Sequence, residues 1–305
     1  MSIPIVVIHK HDSYYLPSCL AQAKNSNPTS DIVLIGDQNN NHYKFINHEN
    51  IYDYFKEAQE FSKIYKHLNT NIAVFEMFCF QRWFILKSFL EANRIERCVH
   101  IDSDVMLYAD LTEEGKKFAQ FDFTLSAGAC GHCSFINNVK ALAKFCDFVI
   151  SLYTDPSLFS LLESRYQERI SNNMAGGAND MTALNAYRER AYSKIGETSV
   201  IIDGSTFDDN VNFSDGFEML HGRKRIYWVD GQPFCNHLES NEKIRFNCLH
   251  FQGSAKKYMR KYYSGKGWGL NSALYYSLVQ RQFKKVRRYL TRLNKNLSEK
   301  PAQDD

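Results

Sequence analysis

Three short and almost uninterrupted apolar runs mark the first third of the chain: residues 3–8 (I-P-I-V-V-I), 31–36 (D-I-V-L-I-G) and 98–101 (C-V-H-I). Runs of this length without alternation read as strands buried on both faces. Residues 14–24 between the first two read as a helix, with Pro17 tolerable only in its first turn. Such strand–helix–strand spacing is what a parallel sheet with crossover helices requires. Residues 51–68 then read as an amphipathic helix and 72–92 as a buried one, with Asn71 as its cap. A capped helix at 111–119 and an alternating strand at 121–126 follow. Helical spacing returns at 139–153 and 157–168, and again after a polar loop (171–179) in a helix that starts at Asp180. Residues 199–203, 224–229 and 247–251 read as late strands. The pattern predicts an α/β domain over residues 1–265, its mixed and mostly parallel sheet flanked by helices. Residues 266–305 read as a basic helix and tail, centred on 271–293 and fraying over 301–305.

Composition changes this picture little. The chain has 305 residues, 44% hydrophobic and 23% charged, enough for a sizeable core in one large domain. A net charge of +3 is too mild to imply a nucleic-acid partner, and Tyr275, Tyr276 and Tyr289 form no stacking motif on the basic helix. The eight cysteines are scattered and several sit in apolar runs, which reads as free thiols in a reducing compartment. Cys130-Gly131-His132-Cys133 lacks the second pair that a zinc site would want. Residues 72–90 are apolar but carry Glu76, Gln81, Arg82 and Lys87, so no membrane-spanning segment is expected. The first residues lack the pattern of a secretion signal, and the expected location is cytoplasmic.

The chemistry concentrates where the third apolar run ends. Asp102 and Asp104 follow it with only Ser103 between them, and an extended chain would send both carboxylates to one side. A solvated turn is the plain alternative. Two buried like charges are costly unless a cation or a partner compensates them. Oxygen-rich sites suit Mg²⁺ or Mn²⁺ rather than zinc. His250 would complete such a site, favouring manganese, if the last strand returned beside the central one. Gly253 would let the backbone approach a phosphate, and Lys256 or Lys257 would neutralise it. Arg82 would serve the same diphosphate or brace a carboxylate. His9, His11 and Asp37 fall at the carboxyl ends of the first two strands, where ligands bind in such sheets. Asp180 opens its helix as a capping or first-turn acid. These parts suit a metal-bound nucleoside diphosphate that must leave with its charge stabilised.

The segment V-H-I-D-S-D-V-M-L-Y resembles the D-x-D region of nucleotide-sugar glycosyltransferases of the GT-A fold. The late L-H-F-Q-G-S-A-K-K is similar to the H-F-x-G-x-x-K-P-W signature of the retaining family that includes glycogenin and bacterial lipopolysaccharide galactosyltransferases, although Lys257-Tyr258 stands where that signature has Pro-Trp. The resemblance implies that Asp102, Asp104 and His250 hold Mn²⁺ (or Mg²⁺), that Lys256 contacts the diphosphate of a UDP-sugar, and that Asp180, within G-G-A-N-D-M-T-A-L, lies near the sugar or acceptor. A glycan or lipid-linked acceptor and a cell-surface glycan pathway go with it.

Two other readings compete. Asp102-x-Asp104 after an apolar strand also resembles the nucleophile motif of haloacid dehalogenase-type phosphatases, with Asp102 as nucleophile and Lys194 and Asp208-Asp209 as later partners. Met106 stands where that motif wants Thr or Val. The basic helix at 271–293 could instead be the working part of a binding protein, set peripherally on the inner face of the membrane against anionic lipid.

Overall fold

The computed structural model describes residues 2–266 and 268–298, with side chains over 2–266 and 270–291. Strand β1 (Ile5–His9) leads through helix α1 (Leu16–Ser26) to strands β2 (Ile32–Gly36) and β3 (Asn47–Asn50). Helices α2 (Lys56–Ile64) and α3 (Ala73–Ala92) precede β4 (Cys98–Ile101) and β5 (Val105–Leu107). Helix α4 (Leu111–Glu114), strands β6 (Phe123–Leu125) and β7 (Cys133–Ile136), and helices α5 (Val139–Thr154), α6 (Pro156–Ser171) and α7 (Asp180–Glu189) make the middle of the chain. The later strands are β8 (Ile195–Glu197), β9 (Ser205–Phe207), β10 (Met219–Leu220), β11 (Arg223–Lys224), β12 (Tyr227–Val229), β13 (Gln232–Asn236) and β14 (Lys243–His250). A 3-10 stretch (Gly253–Tyr262) then leads to helix α8 (Trp268–Ser298).

The first sheet has the order β3-β2-β1-β4-β7-β6-β8. Strands β3, β2, β1 and β4 are parallel, β7 runs against β4 and β6, and β8 is parallel to β6. This is the mixed, mostly parallel α/β architecture that the apolar runs predict. Its central strands are buried on both faces, so two cores form. One packs Phe61, Trp83, Phe84 and Phe145 under α2, α3 and α5; the other packs Leu16, Leu20, Met106 and Phe246 under α1. Each such side chain contributes about 1.5–3 kcal/mol on leaving water.

A second, largely antiparallel sheet, β12-β13-β14-β5 with β9 beside β14, stands where the sequence pattern shows only scattered strands. Its decisive pairing is β14 against β5, which sets His250 opposite Val105. The last strand therefore does return beside the segment that carries Asp102 and Asp104.

Several local expectations give way to competing bonds. The helix expected over 51–68 is a 3-10 turn (Ile51–Tyr54) followed by α2, because the Asn50 side chain accepts from the Tyr52 N–H and starts a tighter turn. Asn71 does not cap α3: Ile72 holds the cap position without a side-chain bond, and Asn71 donates to Glu76 Oε1 at 2.7 Å instead. Residues 199–203 are not a strand; Ile202 and Ser205 exchange backbone bonds in a tight turn before β9. The stretch 224–229 is split between β11 and β12. Helix α7 is capped by Asn179, which accepts from Thr182 N at 2.9 Å, so Asp180 is a first-turn acid. The tail at 301–305 lies outside the described residues.

Candidate functional site

The chain leaves one sheet and enters the other at Asp102-Ser103-Asp104. Strand β4 ends at Ile101 and β5 begins at Val105. The three residues between them form a turn rather than an extended strand end, closed by Val105 N–H donating to Asp102 C=O at 3.1 Å. Asp102 N–H is tied to His132 C=O at 2.8 Å, and Asp104 C=O accepts from Phe251 N–H at 2.9 Å. The turn is thus fastened to β7 on one side and to the end of β14 on the other. One ligand-capable atom from each of Asp102, Asp104 and His250 lies within 4.8 Å of the others.

The charges around this cluster are unevenly shared. Asp104 Oδ1 is 3.5 Å from His250 Nε2, and Oδ2 is 3.1 Å from Lys256 Nζ. Burial pushes the Asp104 carboxyl up, but the bond from His250 and the Lys256 charge leave it below its ordinary value. Burial acts on His250 in the opposite sense, and the Asp104 carboxylate overrides it, holding the imidazole at about 9. Asp102 bonds Arg82 and lies 3.5 Å from His100 Nε2. Its burial is likewise outweighed, here by the Arg82 guanidinium, so its carboxyl titrates well below the usual range.

His250 is held from three directions. Its Nδ1 meets Asp209 C=O at 2.6 Å, its backbone N–H donates to Asp208 Oδ2 at 3.0 Å, and its ring stacks on His132 with centroids 4.1 Å apart. An Nδ1–H that donates to a carbonyl turns Nε2 toward Asp104, the arrangement that orients most metal-binding histidines; a cation there would displace the Nε2 proton. Asp208 is itself fixed by the buried Lys224, whose Nζ is 2.6 Å from Asp208 Oδ1, 2.9 Å from Asn210 C=O and 2.6 Å from Asp215 Oδ2. Burial pushes His132 down to about 3, so the stacked pair carries its charge on His250.

Arg82 braces carboxylates rather than standing free for a diphosphate. It spans Asp102 and Asp180, with Nη2 2.7 Å from Asp180 Oδ2. Trp83 Nε1–H donates to the same oxygen at 3.1 Å. Asp180 is thereby brought to the far side of the Asp102 carboxylate. Gly253 follows β14 with φ +62°, a left-handed conformation that costs glycine little, and Lys256 projects from the next turn onto Asp104. Lys257 is exposed, with Nζ 5.0 Å from the Tyr258 ring centroid.

His9 and Asp37 lie at the ends of β1 and β2 as expected. His9 Nε2 is 2.9 Å from Ser13 Oγ. Burial pushes His9 down to about 4 against the attraction of Asp104. Asp37 accepts from the His11 and Asn39 N–H groups at 2.9 and 2.8 Å. His11 has φ +68°, a costly conformation for a side-chain-bearing residue that recurs at functional rims. Sequence reasoning missed Lys224, His132 and His100. The one signal for His132 was its place in the C-x-x-C segment, whose cysteines, like the other six, are unpaired.

A hard divalent cation suits this donor set: two ionised carboxylates and an oriented imidazole, all within reach of one centre. Of the parts needed by the phosphatase reading, Asp208 and Asp209 lie behind His250, but Lys194 is turned to another part of the sheet. Lys194 is exposed, its N–H bonded to Asp122 Oδ2 beside β8, while Asp208 is consumed by Lys224. Asp102 is clamped by Arg82, which ill suits a nucleophile.

No protein-family model matches the chain, and no curated protein matches it in sequence. Among solved structures it is similar to mouse xyloside xylosyltransferase 1 in its apo form, at TM-score 0.47 and 9% identity over 67% of this chain and 88% of that one. It is similar to galactosyltransferase LgtC in complex with donor and acceptor sugar analogues, at 0.43 and 13% over 89% and 94%. A third is the glycosyltransferase GlyE of Streptococcus pneumoniae, at 0.42 and 12% over 91% and 65%. At these values the likeness is one of chain path, and the functional reading rests on the site.

Proposed function

We propose that the chain transfers a sugar from a nucleoside diphosphate donor, a UDP-sugar, to a glycan or lipid-linked acceptor. The observation that carries this reading is the meeting of Asp102, Asp104 and His250 at the seam between the two sheets, with Lys256 against Asp104. In this reading those three residues hold Mn²⁺ or Mg²⁺, which when bound supplies charge stabilisation for the leaving diphosphate. Lys256 neutralises a phosphate oxygen, and the backbone at Gly253 offers it a close approach. His9 and Asp37 form the rim beneath the nucleotide.

Arg82 keeps Asp102 ionised and aimed at the cation. Both bonds to Asp180 fall on Oδ2, which supports an orienting role for Asp180 on the acceptor side over that of a mobile proton acceptor. A peripheral membrane site on the cytoplasmic side is part of the proposal, consistent with a lipid-linked acceptor. It is supported by the outer face of α8, where Tyr275, Tyr276, Phe283, Val286 and Leu290 are exposed opposite the buried Leu274, Ser277 and Arg281. Leu293, expected on the apolar side, has a side chain outside the described residues. No single helix among the described residues is long and apolar enough to cross a membrane.

A thermal-shift panel of nucleotide sugars with and without Mn²⁺ tests the function, since a donor that binds the folded state raises its melting temperature by linkage. The reading expects a UDP-sugar to stabilise the chain only with the metal. Stabilisation by no member of the panel would count against it.

A further inference from the structure

We propose that the cavity beside the start of α7, walled by Arg165 and Arg169, is an acceptor subsite for a negatively charged group, a phosphate or a carboxylate carried on a sugar. This rests on the transferase reading, which puts Asp180 on the acceptor side. Two adjoining hollows of about 290 and 320 Å³ share Arg165, Arg169, Gly177 and Thr182 as walls. Each is near the lower end of the ~300–1,000 Å³ range of small-ligand sites, the scale of a single sugar unit.

The loop side of the wall is firmly built, and Arg165 stands exposed on the helix side. Gly177 has φ +156°, and a Cβ there would stand 2.2 Å from Leu68 C=O, so only glycine lets this loop lie against residues 68–70. Ala178 N–H donates to Leu68 C=O at 2.7 Å, Asn69 Nδ2 to Ala178 C=O at 3.2 Å, and Gly176 N–H to Thr70 Oγ1 at 2.7 Å. The next residues are Asn179, which caps α7 and lines the cavity, and Asp180, bonded to Arg82. One short segment therefore forms the boundary of the cavity and also a wall of the Asp102 site.

The charge of the cavity calls for an anion. Arg165 and Arg169 lie one helical turn apart on the same face of α6, an arrangement of like charges that disfavours the helix unless something sits between them. Among the described residues neither guanidinium forms an ion pair with a carboxylate. Arg169 Nε donates to Ala175 C=O at 3.0 Å, which fixes its head toward the loop. Glu168 lines one hollow and is ion-paired with neither, leaving a net positive wall. Guanidinium groups match phosphate and carboxylate in a bidentate manner.

Calorimetric titration of the full chain with glucose 6-phosphate, glucuronate and glucose tests this, alongside the double variant Arg165→Gln/Arg169→Gln. The expected result is that a charged sugar binds at least about tenfold tighter than glucose, and that the double variant loses at least about tenfold of that affinity, the loss of charge-assisted bonds. Preference for glucose 6-phosphate assigns the site to phosphate; preference for glucuronate assigns it to carboxylate. Binding of all three alike, binding of none, or a double variant that binds charged sugars as the parent does would overturn the proposal. Titration of the same samples with Mn²⁺ and UDP reports separately on the transferase reading, and the double variant is expected to retain that binding.

Discussion

His250 Nε2 lies 3.5 Å from Asp104 Oδ1, although one residue closes the last strand of the second sheet and the other stands in the turn that leaves the first. Their approach is a consequence of register: β14 pairs with β5 so that His250 faces Val105, the residue after Asp104. A slip of one residue would turn the imidazole to the other face of the sheet. The bonds from Asp208, Asp209 and the His132 ring hold His250 in that position, and the same geometry makes the site sensitive to residues that never touch a cation.

Arg82 is the first of these. It is nearly buried between Asp102 and Asp180, so Arg82→Met leaves two carboxylates unpaired and is expected to cost about 3–5 kcal/mol in denaturant unfolding. Arg82→Lys is expected to restore little, because a point charge cannot span both carboxylates as a planar fork does. Full stability in the lysine variant would show that the bridge is dispensable.

Lys224 acts further back, through Asp208. Lys224→Met leaves the Asp208 carboxylate buried without its partner, with an expected loss of about 3–5 kcal/mol. Mn²⁺ affinity, read by paramagnetic resonance titration, is expected to fall about 10–100-fold, as for other outer-shell changes. The pair Asp208→Asn/Lys224→Met removes both charges and keeps an oxygen to accept from His250 N–H. It is expected to recover most of the stability, and a double variant no better than the single would contradict the positioning role.

The half-buried His9 sets part of the acid sensitivity. Its folded value of about 4 lies below the ordinary 6.5, so the unfolded chain takes up a proton that the folded chain refuses. Stability is therefore undiminished above about pH 6.5 and erodes as the pH falls through 6.5 toward 4. His9→Gln is expected to lose less stability than the parent over that window, measured by denaturant midpoints. Equal slopes for the two would remove His9 from the account.

Membrane contact through α8 predicts that Phe283→Ser, Tyr289→Ser and Leu290→Ser together weaken co-sedimentation with vesicles rich in anionic lipid, while leaving the packed face of the helix intact. Those side chains are exposed, so their replacement tests the outer face without opening the core. Unchanged sedimentation would dismiss the membrane contact and leave the transferase reading in place.

The parts visible in the sequence were those with a local cause. Strands β1, β2 and β4 show as continuous apolar runs because both of their faces are covered. Asp102, Asp104, His250 and Lys256 stand out because charged groups sit beside such runs. The second sheet was obscure because β5, β9 and β12 are each three residues long, too short for any period to show. The turn at Ser103 was read as an extended strand end because nothing nearby marks the change of sheet. Asp208 was read only as part of an acid pair for the phosphatase alternative, and Lys224 only as the start of a strand; their role arises from burial together, which depends on the path of a loop. Arg82 was recognised as needing an anionic partner, but which one was decided only when α7 brought Asp180 to it.

The central claim is that Asp102, Asp104 and His250 seat a cation for a nucleotide sugar, and release of UDP from a UDP-sugar measures it most directly. The parent chain is expected to release UDP only with Mn²⁺ or Mg²⁺, and Asp104→Ala to lose that release while keeping the parent's circular dichroism. Undiminished metal-dependent release by Asp104→Ala would contradict the metal assignment. Hydrolysis of p-nitrophenyl phosphate that disappears in Asp102→Asn would contradict the transferase itself.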